Sequence, residues 1–178
     1  MRDSGVKYPF GEESDKISKE LPIDLQALTA EKIVEYGERL GKEYAHYRDK
    51  EENIEYGIVT GTYFDRKTHK EMPKYSAINT NQIRNVFGAI KRMEMEWTKE
   101  KQEEKQDFLR IKSGLELLKP RLAYAARHDE VKPLKKVLDK AVDGVKKSND
   151  GPVAFENFLR FVESIVAYHK FYGGDKLR

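Results

Sequence analysis

The sequence predicts an all-α fold, a small bundle of about five helices with a long irregular segment between the first and second helices. Apolar residues recur at three- and four-residue steps in several stretches, which is the period of an amphipathic helix. Most connections between these stretches are short, as in helical bundles. The chain of 178 residues is 38% hydrophobic and contains ten Tyr and eight Phe, so it has enough apolar surface to form a core.

The first residues show no sustained helical period. Gly5, Pro9 and Gly11 interrupt a stretch of mixed charges. We therefore expect a loose N-terminal leader over residues 1–23. Residues 24–178 are expected to form a single helical domain, because domains of about 150 residues are common.

The first predicted helix spans about residues 30–49, and Thr29 is a plausible N-cap. Its apolar stripe repeats every three or four residues and comprises Ile33, Tyr36, Leu40, Tyr44 and Tyr47. Residues 50–78 then break the period, with Gly57 and Gly61 among alternating apolar and polar residues. We expect a long loop or a short hairpin insertion here, and its role stays open.

A second helix is predicted after Asn79 or Thr80, either of which can act as N-cap, and Gln82 has the spacing of a capping box. Its stripe comprises Ile83, Val86, Phe87, Ile90, Met93 and Trp97. The wholly polar run from Thr98 to Asp107 is either an exposed part of a helix or a connector.

The rest of the chain predicts further helices. One has a stripe formed by Phe108, Ile111, Leu115 and Leu118. Pro120 then suits the first turn of a new short helix, Arg121 to His128. A helix over about 131–147 follows, and the last begins near Pro152 and ends at Gly173-Gly174.

Charge is unevenly distributed along the chain. The net charge of +3 combines an excess of acidic residues over positions 1–75 with an excess of basic residues over positions 76–178. From Lys119 to Lys147, nine basic residues face four acidic ones. Such a patch favours an anionic partner such as nucleic acid, and solvated lysines on a helix face are the alternative.

Several chemistries lack the residues that they need. The chain has no Cys, which excludes thiol nucleophiles and favours a reducing, cytoplasmic location. The four His have no metal-ligand spacing, and Gly57-Ile-Val-Thr-Gly61 lacks the Lys-Ser/Thr of a phosphate-binding loop. No metal, cofactor or catalytic group is therefore expected, and His169 is expected to be a hydrogen-bonded core residue. No apolar run approaches the ~20 residues of a membrane span.

One enzymatic pattern stays open. Arg121 and His128 have the spacing of the Arg-x4-6-His motif of HEPN-type helical ribonucleases, although Leu122 is apolar where that family usually has a polar residue. A helical protein–protein adaptor without nucleic-acid binding is a further alternative.

Three motifs together resemble a known family. They are Thr80-Asn-Gln-Ile-Arg84, Leu118-Lys-Pro-Arg-Leu-Ala-Tyr-Ala-Ala-Arg127, and Phe155-x-x-Phe158-x-x-Phe161-x-Glu163 leading to Ala167-Tyr-His-Lys170. In this order, over about residues 78–172, they resemble the small, all-helical Csm subunit of type III-A CRISPR effector complexes. Ala126 departs from that pattern, in which Gly is common.

The resemblance implies a non-catalytic structural role in antiviral defence. Several copies would stack as an inner filament beside the backbone subunits and line the channel that holds the CRISPR RNA and its target RNA. The implied partners are these two RNAs, the backbone and large subunits, and further copies of the chain itself.

Six basic residues are the predicted RNA-binding set, and they would contact phosphates and ribose without reading bases. They are Arg84, Lys91, Arg92, Lys119, Arg121 and Arg127. The alternative for Arg84 and Arg121 is a structural pairing with a carboxylate such as that of Glu163. Tyr124 and Tyr168 are expected to be core residues and not base-stacking platforms.

Overall fold

The computed structural model describes residues 10–102 and 108–173, and over these residues the protein is mostly helical. Its six helices are α1 (Glu12–Glu20), α2 (Ala30–Ala45), α3 (Thr80–Gln102), α4 (Phe108–Ala125), α5 (Lys132–Lys146) and α6 (Gly151–Phe171). Four strands form two small antiparallel sheets, β1 (Arg48–Asp49) with β2 (Ile54–Glu55), and β3 (Ile58–Asp65) with β4 (Lys70–Ser76). The prediction of a helical bundle is confirmed, but the fold is not purely α and has one helix more than expected.

The additional helix, α1, lies in the expected leader. Ile17 of this helix is fully buried, and so is Leu21 just after it. Residues 10–23 are therefore packed against the domain and not loose, while residues 1–9 lie outside the described residues. The short helix has few apolar residues, and a distant carboxylate holds its N-terminus: Glu43 of α2 accepts hydrogen bonds from the backbone N–H groups of Glu13 at 2.8 Å and Ser14 at 3.1 Å.

Helices α2 and α6 form the centre of the molecule and approach each other closely. A Cβ placed on Gly41 would lie 2.5 Å from the Cβ of Tyr168 and 2.7 Å from the backbone nitrogen of His169. The two glycines Gly37 and Gly41 therefore let the helix axes come together. His169 is buried here, and its Nε2 lies 2.8 Å from the carbonyl oxygen of Ile78, as predicted for a core histidine.

Helix α2 begins as predicted, since the Thr29 hydroxyl accepts a hydrogen bond from the Lys32 backbone N–H. It ends at Ala45, four residues before the expected end, because His46 adopts a left-handed conformation with φ of 52°. The following segment forms the two sheets, so the long irregular segment expected between the first and second predicted helices contains regular strands. Ile58 anchors the β3–β4 hairpin in the core, whereas Tyr63 and Phe64 near its tip are exposed.

Helix α3 begins with the expected capping box. The Gln82 backbone N–H donates to Asn79 Oδ1, and the Asn79 backbone N–H donates to Gln82 Oε1, both at 2.9 Å. Its predicted stripe is buried. Helix α3 packs against α4 and α6, which exposes its opposite surface.

The predicted break at Pro120 is wrong. Helix α4 continues through this residue to Ala125, and no separate helix spans Arg121 to His128. Leu118 and Leu122 are both buried on either side of the proline. Burial of this continuous face outweighs the backbone hydrogen bond that proline removes.

No helix among the described residues is long and apolar enough to cross a membrane.

Candidate nucleic-acid interface

Two of the predicted basic residues meet between α3 and α4. Arg92 of α3 and Arg121 of α4 line one groove, together with Glu96 and Leu117. Both arginines are exposed. Neither guanidinium forms a hydrogen bond or an ion pair within residues 10–102 and 108–173. These two cations are therefore available to an anionic ligand.

A second groove lies beside the first, where α4 ends near the start of α3. It has a volume of about 380 Å³, and Arg121 borders it as well. The Arg127 guanidinium carbon lies 4.1 Å from the centre of the Tyr124 ring, a short cation–π contact. Arg127 Nε also donates to His128 Nε2 at 3.3 Å. The groove thus combines an aromatic surface with two guanidinium groups.

Tyr124 is not the core residue that its sequence context suggests. Its side chain is 69% exposed even with Arg127 stacked on it. Tyr168, in contrast, is half-buried between α6 and α2. The sequence disfavours base stacking for both tyrosines, but the exposure of Tyr124 leaves that role open to it.

A third groove runs between α3 and α6, with a volume of about 490 Å³ and a mainly apolar lining that includes Phe87. Arg84 and Lys91 lie at its edge. Lys91 Nζ pairs with Glu94 at 2.6 Å and with Glu163 at 3.4 Å. The hydrogen bond that Lys91 donates to Glu94 is the main reason why the pKa of Lys91 is raised. Lys91 is thus partly neutralised.

The alternative pairing of Arg84 with Glu163 does not form. Lys91 contacts that carboxylate instead, and the guanidinium of Arg84 has no ion-pair partner among the described residues. Arg84 and Lys91 face the α6 side of helix α3, while Arg92 faces the α4 side. The three predicted basic residues of α3 are therefore divided between two grooves.

Lys119 stands apart from the other five predicted residues. Its Nζ pairs with Asp143 of α5 at 2.8 Å, and it borders none of the three grooves described above. Four other lysines of the basic stretch also pair with carboxylates: Lys132 with Asp129, Lys135 with Asp139, Lys136 with Asp15 and Lys146 with Glu116. Five of the nine cations counted in this stretch are therefore paired, two of them with carboxylates that lie outside it.

Two amides in the second groove were missed by sequence reasoning. Gln82 Nε2 donates to Glu130 at 2.6 Å, which fixes that side chain in place. Asn85 is exposed, and its amide has no hydrogen bond within the part of the chain that the structure describes. The sequence did contain a signal for the contact between Tyr124 and Arg127, since these residues are three positions apart and are thus neighbours near one helix end.

Arg121 and His128, the pair that resembles a ribonuclease motif, do line the same groove. However, His128 Nε2 lies 3.3 Å from the guanidinium of Arg127 and accepts its hydrogen bond. The described residues also include no cluster of three or more His, Asp or Glu that could hold a metal ion.

Comparison with known proteins gives one match. The model of the family described as Csm2 Type III-A matches residues 64–175, more than half of the chain. The resemblance found in the three sequence motifs is thereby confirmed. No curated protein and no solved structure matches the chain.

Proposed function

Since the chain belongs to the Csm2 Type III-A family and is thus a structural subunit of a type III-A CRISPR complex, we propose that it is a non-catalytic RNA-binding subunit. It contacts the duplex of CRISPR RNA and target RNA through phosphates, without reading the sequence. Copies of it stack in the inner filament of the complex beside the backbone and large subunits. Its role is antiviral defence.

The unpaired arginines of α3 and α4 carry this proposal. Arg84, Arg92 and Arg121 are exposed and have no carboxylate partner in the described chain. A guanidinium binds phosphate with two parallel hydrogen bonds, and here no existing ion pair has to be broken first. Arg127 adds a fourth cation at the edge of the second groove. Lys91 and Lys119, which already have partners, contribute less.

The same side of the molecule also presents apolar side chains to solvent. Leu117 and Leu109 of α4 and Met95 of α3 are each about two-thirds exposed. Leu117 lines the same groove as Arg92 and Arg121, so it would add an apolar contact with a neighbouring subunit beside these arginines.

A charge-matched pair of variants tests the RNA contact. The triple variant Arg84→Gln/Arg92→Gln/Arg121→Gln removes three unpaired cations, and Lys132→Gln/Lys135→Gln/Lys136→Gln removes three paired ones. The dissociation constants for single-stranded RNA and for an RNA duplex are measured over a range of salt concentrations. Each lost phosphate contact lowers the slope of log K against log salt by ~0.7–0.9.

We expect the arginine variant to lose about two units of salt slope and roughly 10- to 100-fold in affinity. The lysine variant should stay within about threefold of the wild type, because its cations are already compensated. Equal losses in both variants would contradict the assignment of these residues. RNA cleavage without added metal that is lost in His128→Ala would favour the ribonuclease instead.

A further inference from the structure

The groove between Tyr124, Arg127 and Asn85 has features that phosphate binding alone does not require. Phosphate recognition uses cations and backbone N–H groups, which bind phosphate equally well on a wholly polar surface. This groove instead presents a mostly exposed aromatic ring with a guanidinium stacked on it at 4.1 Å. Pro120 and Ala125 add an apolar lining.

We propose that this groove receives an unpaired nucleobase of the bound RNA, which stacks on the Tyr124–Arg127 pair. The inference rests on the proposed RNA-binding function and specifies the ligand of the same surface. Every base has a flat π-face, so stacking on an aromatic ring or a guanidinium plane tolerates any sequence. Such a contact fits a subunit that must accept guides of arbitrary sequence.

The polar groups of the groove fit a nucleotide. The Asn85 amide has no hydrogen-bond partner within residues 10–102 and 108–173, and it can meet a base edge or a ribose 2′-hydroxyl. Arg121 borders the same groove without a carboxylate partner in the described chain, so a cation stands beside the stacking surface where the linking phosphate would lie. The volume of about 380 Å³ lies within the ~300–1,000 Å³ of small-molecule sites.

Other occupants fit less well. A peptide would need both an aromatic and an acidic side chain to use the Tyr124 ring, the stacked Arg127 and the neighbouring Arg121. The third groove, between α3 and α6, is larger and more apolar, but its aromatic ring, Phe87, is buried, and of its two cations only Arg84 lacks a carboxylate partner in the described chain. The features expected of a nucleotide site converge at Tyr124.

An abasic RNA separates stacking from phosphate binding. The probes are a short fluorescent oligouridylate and an abasic ribose-phosphate oligomer of the same length. Each is titrated against the wild type, Tyr124→Ala, Tyr124→Phe and the control Tyr63→Ala, which removes another exposed tyrosine, from the β3–β4 hairpin. The wild type should prefer the intact oligomer by about fivefold or more, since base stacking on an aromatic ring contributes roughly 5- to 150-fold in affinity.

Tyr124→Ala should weaken binding of the intact oligomer by about tenfold and leave binding of the abasic oligomer unchanged. Tyr124→Phe keeps the ring and should stay within about twofold, as should Tyr63→Ala. The inference is overturned if Tyr124→Ala binds both oligomers like the wild type, or loses both equally, while the wild type still shows salt-dependent binding. If the wild type binds neither oligomer, the stacking inference and the proposed RNA-binding function both fail.

Discussion

The side of the molecule built from α1, α2 and α5 pairs its arginine, whereas the side built from α3 and α4 pairs Arg110 with Glu100 but leaves other arginines without a partner in the described chain. On the first side, Arg39 of α2 pairs with Glu13 at 2.5 Å and with Glu35 at 3.1 Å, and Lys136 of α5 pairs with Asp15 of α1. On the second side, Arg92 and Arg121 have no partner among the described residues. Paired charges join helices, whereas unpaired cations remain available to a ligand.

The difference shows why a local net charge does not by itself locate an anion site. The stretch from Lys119 to Lys147 has an excess of basic residues, but five of its nine cations have carboxylate partners. Arg84 and Arg92, which have no partner in the described chain, lie outside that stretch, whereas Arg121 lies inside it. Ion pairs between helices far apart in sequence decide which cations stay available.

A close contact with backbone on the α2 side predicts the largest effect on stability. In Gly41→Ala the new Cβ would lie 2.7 Å from the His169 backbone nitrogen, and backbone cannot move aside as a flexible side chain can. We expect the free energy of unfolding to fall by about 2–3 kcal/mol, although alanine is otherwise the better helix former. Urea unfolding followed by circular dichroism measures this change.

Gly88→Ala on the α3 side is the matched control. Gly88 also lies inside a helix, but no atom would come within 4 Å of its new Cβ. This variant should be unchanged or more stable by about 0.5–1 kcal/mol. Destabilisation of both variants by the same amount would contradict the contrast between a close helix contact and an open groove.

A buried carboxylate on the α2 side predicts a dependence on pH. Glu43 is 1% exposed, and burial raises its pKa from 4.5 to about 7, although hydrogen bonds from Ser14 and Glu13 act in the opposite direction. A pKa raised in the folded state means that stability is lost as pH increases. The free energy of unfolding should therefore fall between about pH 4.5 and pH 7, on the order of 2–3 kcal/mol.

Glu43→Gln removes this titration and keeps a carbonyl acceptor for the α1 backbone. Its free energy of unfolding should vary less with pH over that range than that of the wild type, whatever its absolute stability. The measurement is urea unfolding at several pH values for both proteins. Parallel pH profiles would show that Glu43 does not titrate in this range.

Local signals in the sequence were sufficient for much of the helical fold. Thr29 caps α2, and Asn79 with Gln82 caps α3, because these contacts involve residues only three positions apart. Helix α1 could not be predicted in this way, since the group that holds its N-terminus, Glu43, is about thirty residues away. A local pattern contains no information on such a contact.

The candidate site was predictable in its residue types but not in its geometry. The prediction of a break at Pro120 separated Tyr124 from the α4 stripe. In the continuous helix, Tyr124 follows the buried Leu122 by two residues and therefore points about 200° away from it, toward solvent. The grooves themselves depend on how α3 packs against α4 and α6, which periodicity alone does not specify.

The smallest expected effect compares one charge from each side. Lys136→Gln removes a partner of Asp15, and the hydrogen bond from Lys136 is the chief reason why the pKa of Asp15 is lowered. Arg92→Gln removes a cation that has no partner in the described chain. Lys136 is 55% exposed at its side chain, so its pair should contribute no more than ~1 kcal/mol. Arg92→Gln should leave the free energy of unfolding within about 0.5 kcal/mol of the wild type.

Urea unfolding at low salt and at ~1 M salt distinguishes the two variants, because screening removes the contribution of an exposed pair. The deficit of Lys136→Gln should disappear at high salt, and Arg92→Gln should show no salt-dependent deficit. A salt-dependent loss of stability in Arg92→Gln would mean that this arginine has a carboxylate partner in the folded protein. Arg92 would then already be neutralised by that carboxylate. It could not be counted among the cations available to RNA, and the comparison between the two sides would fail at this residue.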